Sequence, residues 1–155
     1  MLSPPLRGIL LLDDDPAVNF LHELLFEEMA FCVPLHIFTE GLAALHFLSA
    51  LRSDTGESIW PDLILVDVNM PGMDGFEFLD RYHSLPGGKG HTARIVMLTS
   101  SNYPRDVEKA HGYGITAYLS KPLTEEQLMG LVEQEWKPTQ DDSSKKITPS
   151  GGLAF

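Results

Sequence analysis

Between Gly8 and Trp136 the chain repeats one theme five times: a run of three or four apolar residues, then a longer segment with helical spacing. Parallel strands need crossovers long enough to hold a helix, so this alternation restricts the fold to βα units around a parallel sheet. The predicted strands are Ile9-Leu10-Leu11-Leu12, Leu35-His36-Ile37-Phe38, Leu63-Ile64-Leu65-Val66, Ile95-Val96-Met97-Leu98 and Ala117-Tyr118-Leu119. The first, third and fourth are almost uniformly apolar, as befits central strands covered on both faces. The second and fifth are mixed and suit edges. The first helix should start near Pro16, with Val18, Leu21, Leu25 and Met29 inward and Glu23 and Glu27 outward. A second runs from Gly41 to Leu51 with Ala44, Leu45 and Leu48 inward. A third starts near Asp74, a fourth follows Pro104, and a fifth carries Leu128, Leu131 and Val132. Arg52 to Pro61 and Leu85 to Ala93 read as exposed loops.

With 155 residues, 43% of them hydrophobic, one core is expected: a single domain over residues 8–136, a short extension at 1–7 and a flexible polar tail at 137–155. The tail is too short and polar for a second domain. A net charge of −11 disfavours direct binding to nucleic acid or to an anionic membrane. No apolar run approaches the roughly 18 to 20 residues of a membrane span. Cys32 is the only cysteine, which rules out an internal disulfide and a multi-cysteine metal cage and suits a reducing, cytoplasmic setting. The six histidines, at 22, 36, 46, 83, 91 and 111, show no paired ligand spacing and read as surface or packing residues. Cys32 and the methionines read as core filler, and Trp136 as an anchor for the last helix.

Chemistry gathers at strand ends. Leu12 runs into Asp13-Asp14-Asp15 and Val66 into Asp67. Ligands of parallel α/β sheets bind at the carboxyl ends of strands where the strand order reverses, so these acids sit where sites occur. If the first and third strands are neighbours, Asp14 and Asp67 meet. Two carboxylates ~5 Å apart in an effective dielectric of about 20 repel by about 3 kcal/mol, which calls for a cation or a shared proton. A hard divalent ion such as magnesium, which favours oxygen ligands, answers that need. Helix capping explains Asp15 well but leaves Asp67 unexplained. Two more strand ends add Thr99-Ser100-Ser101 and Ser120-Lys121-Pro122, a hydroxyl donor and a cation suited to a phosphoryl group. Lys121-Pro122 is a candidate cis bond, because it lies in a tight turn. Asp74 reads as a helix cap after the turn-forming Pro71-Gly72-Met73.

The segments ILLLDDDP, DLILVDVNMPGMDGFEFL, IVMLTSS and AYLSKPL resemble, in order and spacing, the motifs of response-regulator receiver domains of two-component signalling. The resemblance spans roughly residues 8 to 136. It implies a flavodoxin-like, doubly wound sheet of five parallel strands in the order 2-1-3-4-5 with helices on both faces; the chemotaxis receiver is a worked example of that order. It further implies that Asp67 is the phosphoacceptor. Magnesium would be held by Asp13, Asp14, Asp67 and the backbone carbonyl of Asn69, with Asp14 the more direct partner of the acidic pair. Thr99 would move toward the phosphoryl group, Lys121 would be its counter-ion, and Tyr118 would be the aromatic switch that turns inward.

The implied function is a single-domain response regulator, phosphorylated by a sensor histidine kinase or histidine phosphotransfer protein and read by a downstream protein through a changed surface. Its only chemistry would be magnesium-dependent self-phosphorylation and autodephosphorylation. Two rivals come from other classes. One is an aspartate-nucleophile phosphohydrolase, disfavoured because Asn69 stands where a second carboxylate would serve as general acid. The other is a receiver-shaped interaction module that is never phosphorylated, disfavoured because every residue needed for phosphorylation is present.

Overall fold

The computed structural model describes residues 6–51, 60–85, 93–100, 104–133 and 153–154. Its elements alternate as expected: β1 (Ile9–Leu12), α1 (Pro16–Glu28), β2 (Leu35–Phe38), α2 (Gly41–Ala50), β3 (Leu63–Asp67), α3 (Gly75–His83), β4 (Arg94–Thr99), α4 (Pro104–His111), β5 (Ala117–Ser120), α5 (Glu125–Glu133) and β6 (Leu153–Ala154). The five βα strands are parallel in the order β2-β1-β3-β4-β5. The two-residue β6 adds an antiparallel neighbour to β5, so only β2 keeps the edge position expected of both. The rest of the expected tail, Trp136 included, and the predicted loop stretches 52–59 and 86–92 lie outside the described residues.

Alternation along the strands divides the core into two layers. Leu10, Leu12, Ile64, Val66, Ile95 and Met97 face α2, α3 and α4 and pack with Ala44, Leu48, Phe78 and Ala110. Ile9, Leu11, Leu63, Leu65, Val96 and Leu98 face the other way, against Phe26 of α1 and Leu128, Leu131 and Val132 of α5. Burial on both faces is why β1, β3 and β4 carry no polar residue in their central positions. Trp60, placed by the sequence in an exposed loop, is instead buried, and its indole N–H donates to the Tyr82 hydroxyl at 3.1 Å. Leu6 also enters the core, while Arg7 and Gly8 donate their amides to Asp62.

The first helix differs in phase from its expected pattern. Asn19, His22 and Phe26 are its buried residues, whereas Leu21 is 52% exposed. Val18, Leu25 and Met29 are half-buried, and so is Glu23, expected outward; only Glu27 of the two acids is exposed. The cap fixes this rotation: Asp15 accepts from the Ala17 amide, so the helix begins with its polar Asn19 and His22 turned toward the ends of the strands. Asp74 caps α3 as expected, accepting from the Glu77 amide at 2.9 Å. Thr124 and Gln127 form a reciprocal capping box on α5, each side chain bonding the other's amide at 3.1 Å. Lys121-Pro122 is cis, as the tight turn suggested. Among the described residues no helix is long and apolar enough to cross a membrane.

Two glycines report on how tightly the site is built. A Cβ at Gly75 would lie 2.5 Å from the Asp67 carbonyl oxygen and 3.1 Å from Val68 Cα, both backbone atoms that cannot swing aside. A Cβ at Gly130, within α5, would meet nothing within 4 Å. Gly75→Ala is therefore expected to lower unfolding free energy by about 2 kcal/mol or more, while Gly130→Ala raises it by about 0.5–1 kcal/mol. Urea denaturation of the two variants measures both signs.

Candidate phosphoryl-acceptor site

The parallel register places the site. Leu12 pairs with Val66, so the acids that follow β1 stand beside Asp67, the last residue of β3. Asp67 pairs with Leu98, so Thr99 at the end of β4 is the next neighbour, and Thr99 in turn pairs with Ser120, one residue before Lys121. Four strand ends thus deliver Asp13, Asp14, Asp67, Thr99 and Lys121 to one edge of the sheet, as their positions in the sequence led us to expect.

Asp13, Asp14 and Asp67 each offer a carboxylate oxygen within 4.8 Å of the others. Asp13 and Asp67 are buried, and Asp14 is exposed. The Lys121 ammonium crosses between the two buried acids, 3.0 Å from Asp13 Oδ2 and 3.2 Å from Asp67 Oδ1. Asp67 Oδ1 also accepts from the Asn69 amide at 3.2 Å, whereas Asp67 Oδ2 is buried without a hydrogen-bond partner among the described residues. A buried carboxylate oxygen with no donor is costly and marks a place for a cation or for an incoming electrophile. The donor set around it, all oxygen and mostly anionic, suits a hard divalent ion.

Electrostatics follow from this crowding. Burial, then the Asp13 charge and the Asp14 carboxyl, raise Asp67 from 3.8 to about 7, with Lys121 opposing. Burial pulls Lys121 down, but its bonds to Asp13 and Asp67 and their charges outweigh that and leave it above its usual value.

Backbone bonds lock the frame. The Lys121 amide donates to the Thr99 carbonyl at 2.8 Å, and the Val68 amide to the Leu98 carbonyl at 2.9 Å. Thr99 is fully buried. Asn69 follows Asp67 with its side chain exposed. The Tyr118 ring lies inward in this structure, 2% exposed within the α2–α3–α4 layer. The alternation of β5 points residue 118 into the same layer as its register partner Met97.

Two residues escaped the sequence reading. Asn19 Nδ2 donates to the Asp13 carbonyl at 3.0 Å and to the Phe38 carbonyl at 3.4 Å, joining the ends of β1 and β2. His22 Nε2 accepts from the Leu123 amide at 3.1 Å, joining α1 to the turn after β5. The available signal was their spacing of three, in phase with Phe26.

The raised Asp67 value has a consequence for the metal-free protein. Between about pH 4 and about pH 7 the folded protein holds a proton on Asp67 that the unfolded chain releases, so stability should fall as pH rises through that window. Asp67→Asn removes the titration. Urea unfolding across this range should show a shallower decline for Asp67→Asn than for the native chain, and a variant more stable than the native chain above about pH 7. Parallel profiles for the two proteins would refute the assignment.

Comparison with known proteins agrees with the geometry. The family described as the response regulator receiver domain matches residues 9–133. The nitrate/nitrite response regulator NarL of Escherichia coli K12 is 41% identical over 81 residues, covering 52% of this chain and 36% of its own length, so the present chain corresponds to about a third of that relative. A two-component response regulator from Cytophaga hutchinsonii superposes with a TM-score of 0.73 at 32% identity, covering 83% of this chain and 95% of that one. The Mn(2+)-bound form of response regulator Rcp1 superposes with a TM-score of 0.62 at 31% identity, covering 82% and 89%. A sheet in the order 2-1-3-4-5 with three acids and a lysine at its carboxyl edge, matched over this span, makes the chain a member of the response regulator receiver domain family.

Proposed function

We propose that this chain is a phosphorylation switch that takes a phosphoryl group on Asp67 from the phosphohistidine of a sensor kinase or phosphotransfer protein. The observation that carries the reading is the buried Asp67 carboxylate, with one oxygen held by Lys121 and Asn69 and the other without a partner among the described residues. In the transfer an Asp67 oxygen attacks phosphorus and forms an O–P bond. The N–P bond of the donor breaks, and the imidazole nitrogen leaves with the bonding pair and takes up a proton. Lys121 already spans Asp13 and Asp67 and is placed to follow the new negative oxygens. Magnesium would be held by Asp14, Asp67, the Asn69 carbonyl and Asp13. Its chemistry there is to offset charge on the transferring oxygens.

Output follows from Thr99 and Tyr118. A phosphoryl oxygen offers Thr99 a new acceptor, and Thr99 is tied through its carbonyl to Lys121 and lies on the strand beside Tyr118. A shift of Thr99 therefore repacks the ring that is already inside, changing the surface around β5 that a downstream protein reads. The protein turns over no external substrate on this reading and works in the cytoplasm.

The outer face of α1 fits the phosphodonor. Ala17, Phe20, Leu21 and Leu24 have i, i+3, i+4, i+7 spacing and are exposed, Phe20 at 57% and Leu21 at 52%. Such a stripe accepts another amphipathic helix. It begins three residues beyond Asp14, so a helix laid on it brings its own histidine to the acid cluster.

Incubation with acetyl phosphate and magnesium, followed by intact mass, tests the acceptor. One phosphoryl group on the native chain and none on Asp67→Asn is the expected result; multiple turnover of unrelated phosphate esters would instead establish a phosphohydrolase, and no uptake an inert module. A second measurement isolates the docking face. Leu21→Glu should slow transfer from a phosphorylated histidine phosphotransfer protein by about tenfold or more, while leaving uptake from acetyl phosphate unchanged.

A further inference from the structure

Within the reading of Asp67 as acceptor, His22 has no chemical part, yet it is 2% exposed and engaged. Its Nε2 accepts from the Leu123 amide at 3.1 Å. Leu123 lies two residues beyond Lys121, and the Lys121 amide is itself bound to the Thr99 carbonyl at 2.8 Å. The segment 121–123 is thus pinned at both ends, to β4 through Lys121 and to α1 through Leu123. From the first of these pins the lysine side chain reaches Asp13 at 3.0 Å and Asp67 at 3.2 Å. A lysine side chain is a flexible four-carbon stem, so where its ammonium rests depends on where its backbone is held.

We propose that His22 is a positioning residue for phosphoryl transfer: its Nε2 anchors the turn that carries Lys121 and thereby sets the reach of the ammonium to Asp13 and Asp67. The neutral imidazole is what this bond requires, with its proton on Nδ1 and its lone pair on Nε2. Burial holds His22 below the usual histidine value, with Asp13 opposing and Lys121 reinforcing, which keeps that lone pair available. A leucine would fill the same space without the cost of burying a polar ring, so packing alone does not call for histidine here. Asn19, three residues earlier on the same face, does the equivalent work for the Asp13 and Phe38 carbonyls. One face of α1 thus ties together the turns after β1, β2 and β5.

The test uses the full chain, magnesium and acetyl phosphate, with the limiting rate of Asp67 phosphorylation and the magnesium affinity measured separately. Gln places an oxygen where Nε2 stands; Asn places one nearer Nδ1, short of the Leu123 amide; Leu offers none. The expected result is a limiting rate within about twofold of the native value for His22→Gln and about tenfold lower for His22→Asn and His22→Leu. Magnesium affinity should stay within about twofold throughout. Should His22→Leu fail to fold, the Gln and Asn pair decides alone. In a Lys121→Ala background the His22 substitutions should cost no more than about twofold, because the group they position is gone. A native rate in His22→Asn, or the same tenfold loss with and without Lys121, would overturn the role of His22 while leaving Asp67 as acceptor. A native chain that takes no phosphoryl group would overturn both.

Discussion

Everything at this edge of the sheet turns on one ammonium placed between two buried carboxylates. Lys121 joins the end of β5 to Asp13 after β1 and to Asp67 at the end of β3, contacts that no local segment could make. Yet one lysine does not balance three acids. With all three ionised the cluster carries a surplus of negative charge, and Asp67, raised to about 7 by burial first and by the Asp13 charge second, is the acid that relieves it by holding a proton. Phosphorylation would replace the single charge of the Asp67 carboxylate with the roughly two charges of an acyl phosphate, about one further negative charge in the same place. On the proposed function, cation binding and phosphorylation are therefore coupled, each favouring the other by the same free energy.

The frame that permits this is the sheet register. Val66 opposite Leu12 and Leu98 opposite Asp67 mean that residues far apart in the chain arrive at one level. Gly75 shows how little slack remains, since its missing side chain is the space into which the Asp67 carbonyl fits. On the proposed function, pre-organisation of this kind limits what must move on phosphorylation. Thr99 and Tyr118 lie on adjacent strands, so a small displacement at one is felt at the other through packed side chains, with no need for a hinge.

Much of this was legible in the sequence, and the reasons differ by residue. Strands such as Leu63–Val66 declare themselves because both faces are buried, and Asp67 stands out because a carboxylate directly after such a run has no structural need to be there. Lys121 and Thr99 became legible only by joining four strand ends, each ordinary alone. The failures share a cause. The periodicity of α1 offers two apolar stripes, and the sequence reading chose the one containing Leu21; the Asp15 cap and the bonds made by Asn19 and His22 select the other. Trp60 was read as loop because its partner, Tyr82, is distant in sequence. Tyr118 was placed correctly on β5, but its rotameric state depends on packing that only three dimensions reveal.

The first two turns of α1 depart from the usual amphipathic pattern, although Phe26 further along still enters the core. A surface helix normally turns its apolar residues in and its polar ones out. In α1, Asn19 and His22 face the sheet while Phe20, Leu21 and Leu24 face solvent, at a cost in both directions. Each half of that cost has a return. The inward polar pair fixes three turns around the acids, which apolar side chains could not do because they offer neither donor nor acceptor. On the proposed function, the outward apolar stripe is a helix-sized docking surface that begins beside Asp14 and Asp15. Since both sets lie on one rigid helix, whatever docks on the stripe is referenced to the same framework that holds Asp13 and, through Leu123, Lys121. On the proposed function, stability is given up along α1 so that donor and acceptor share one ruler.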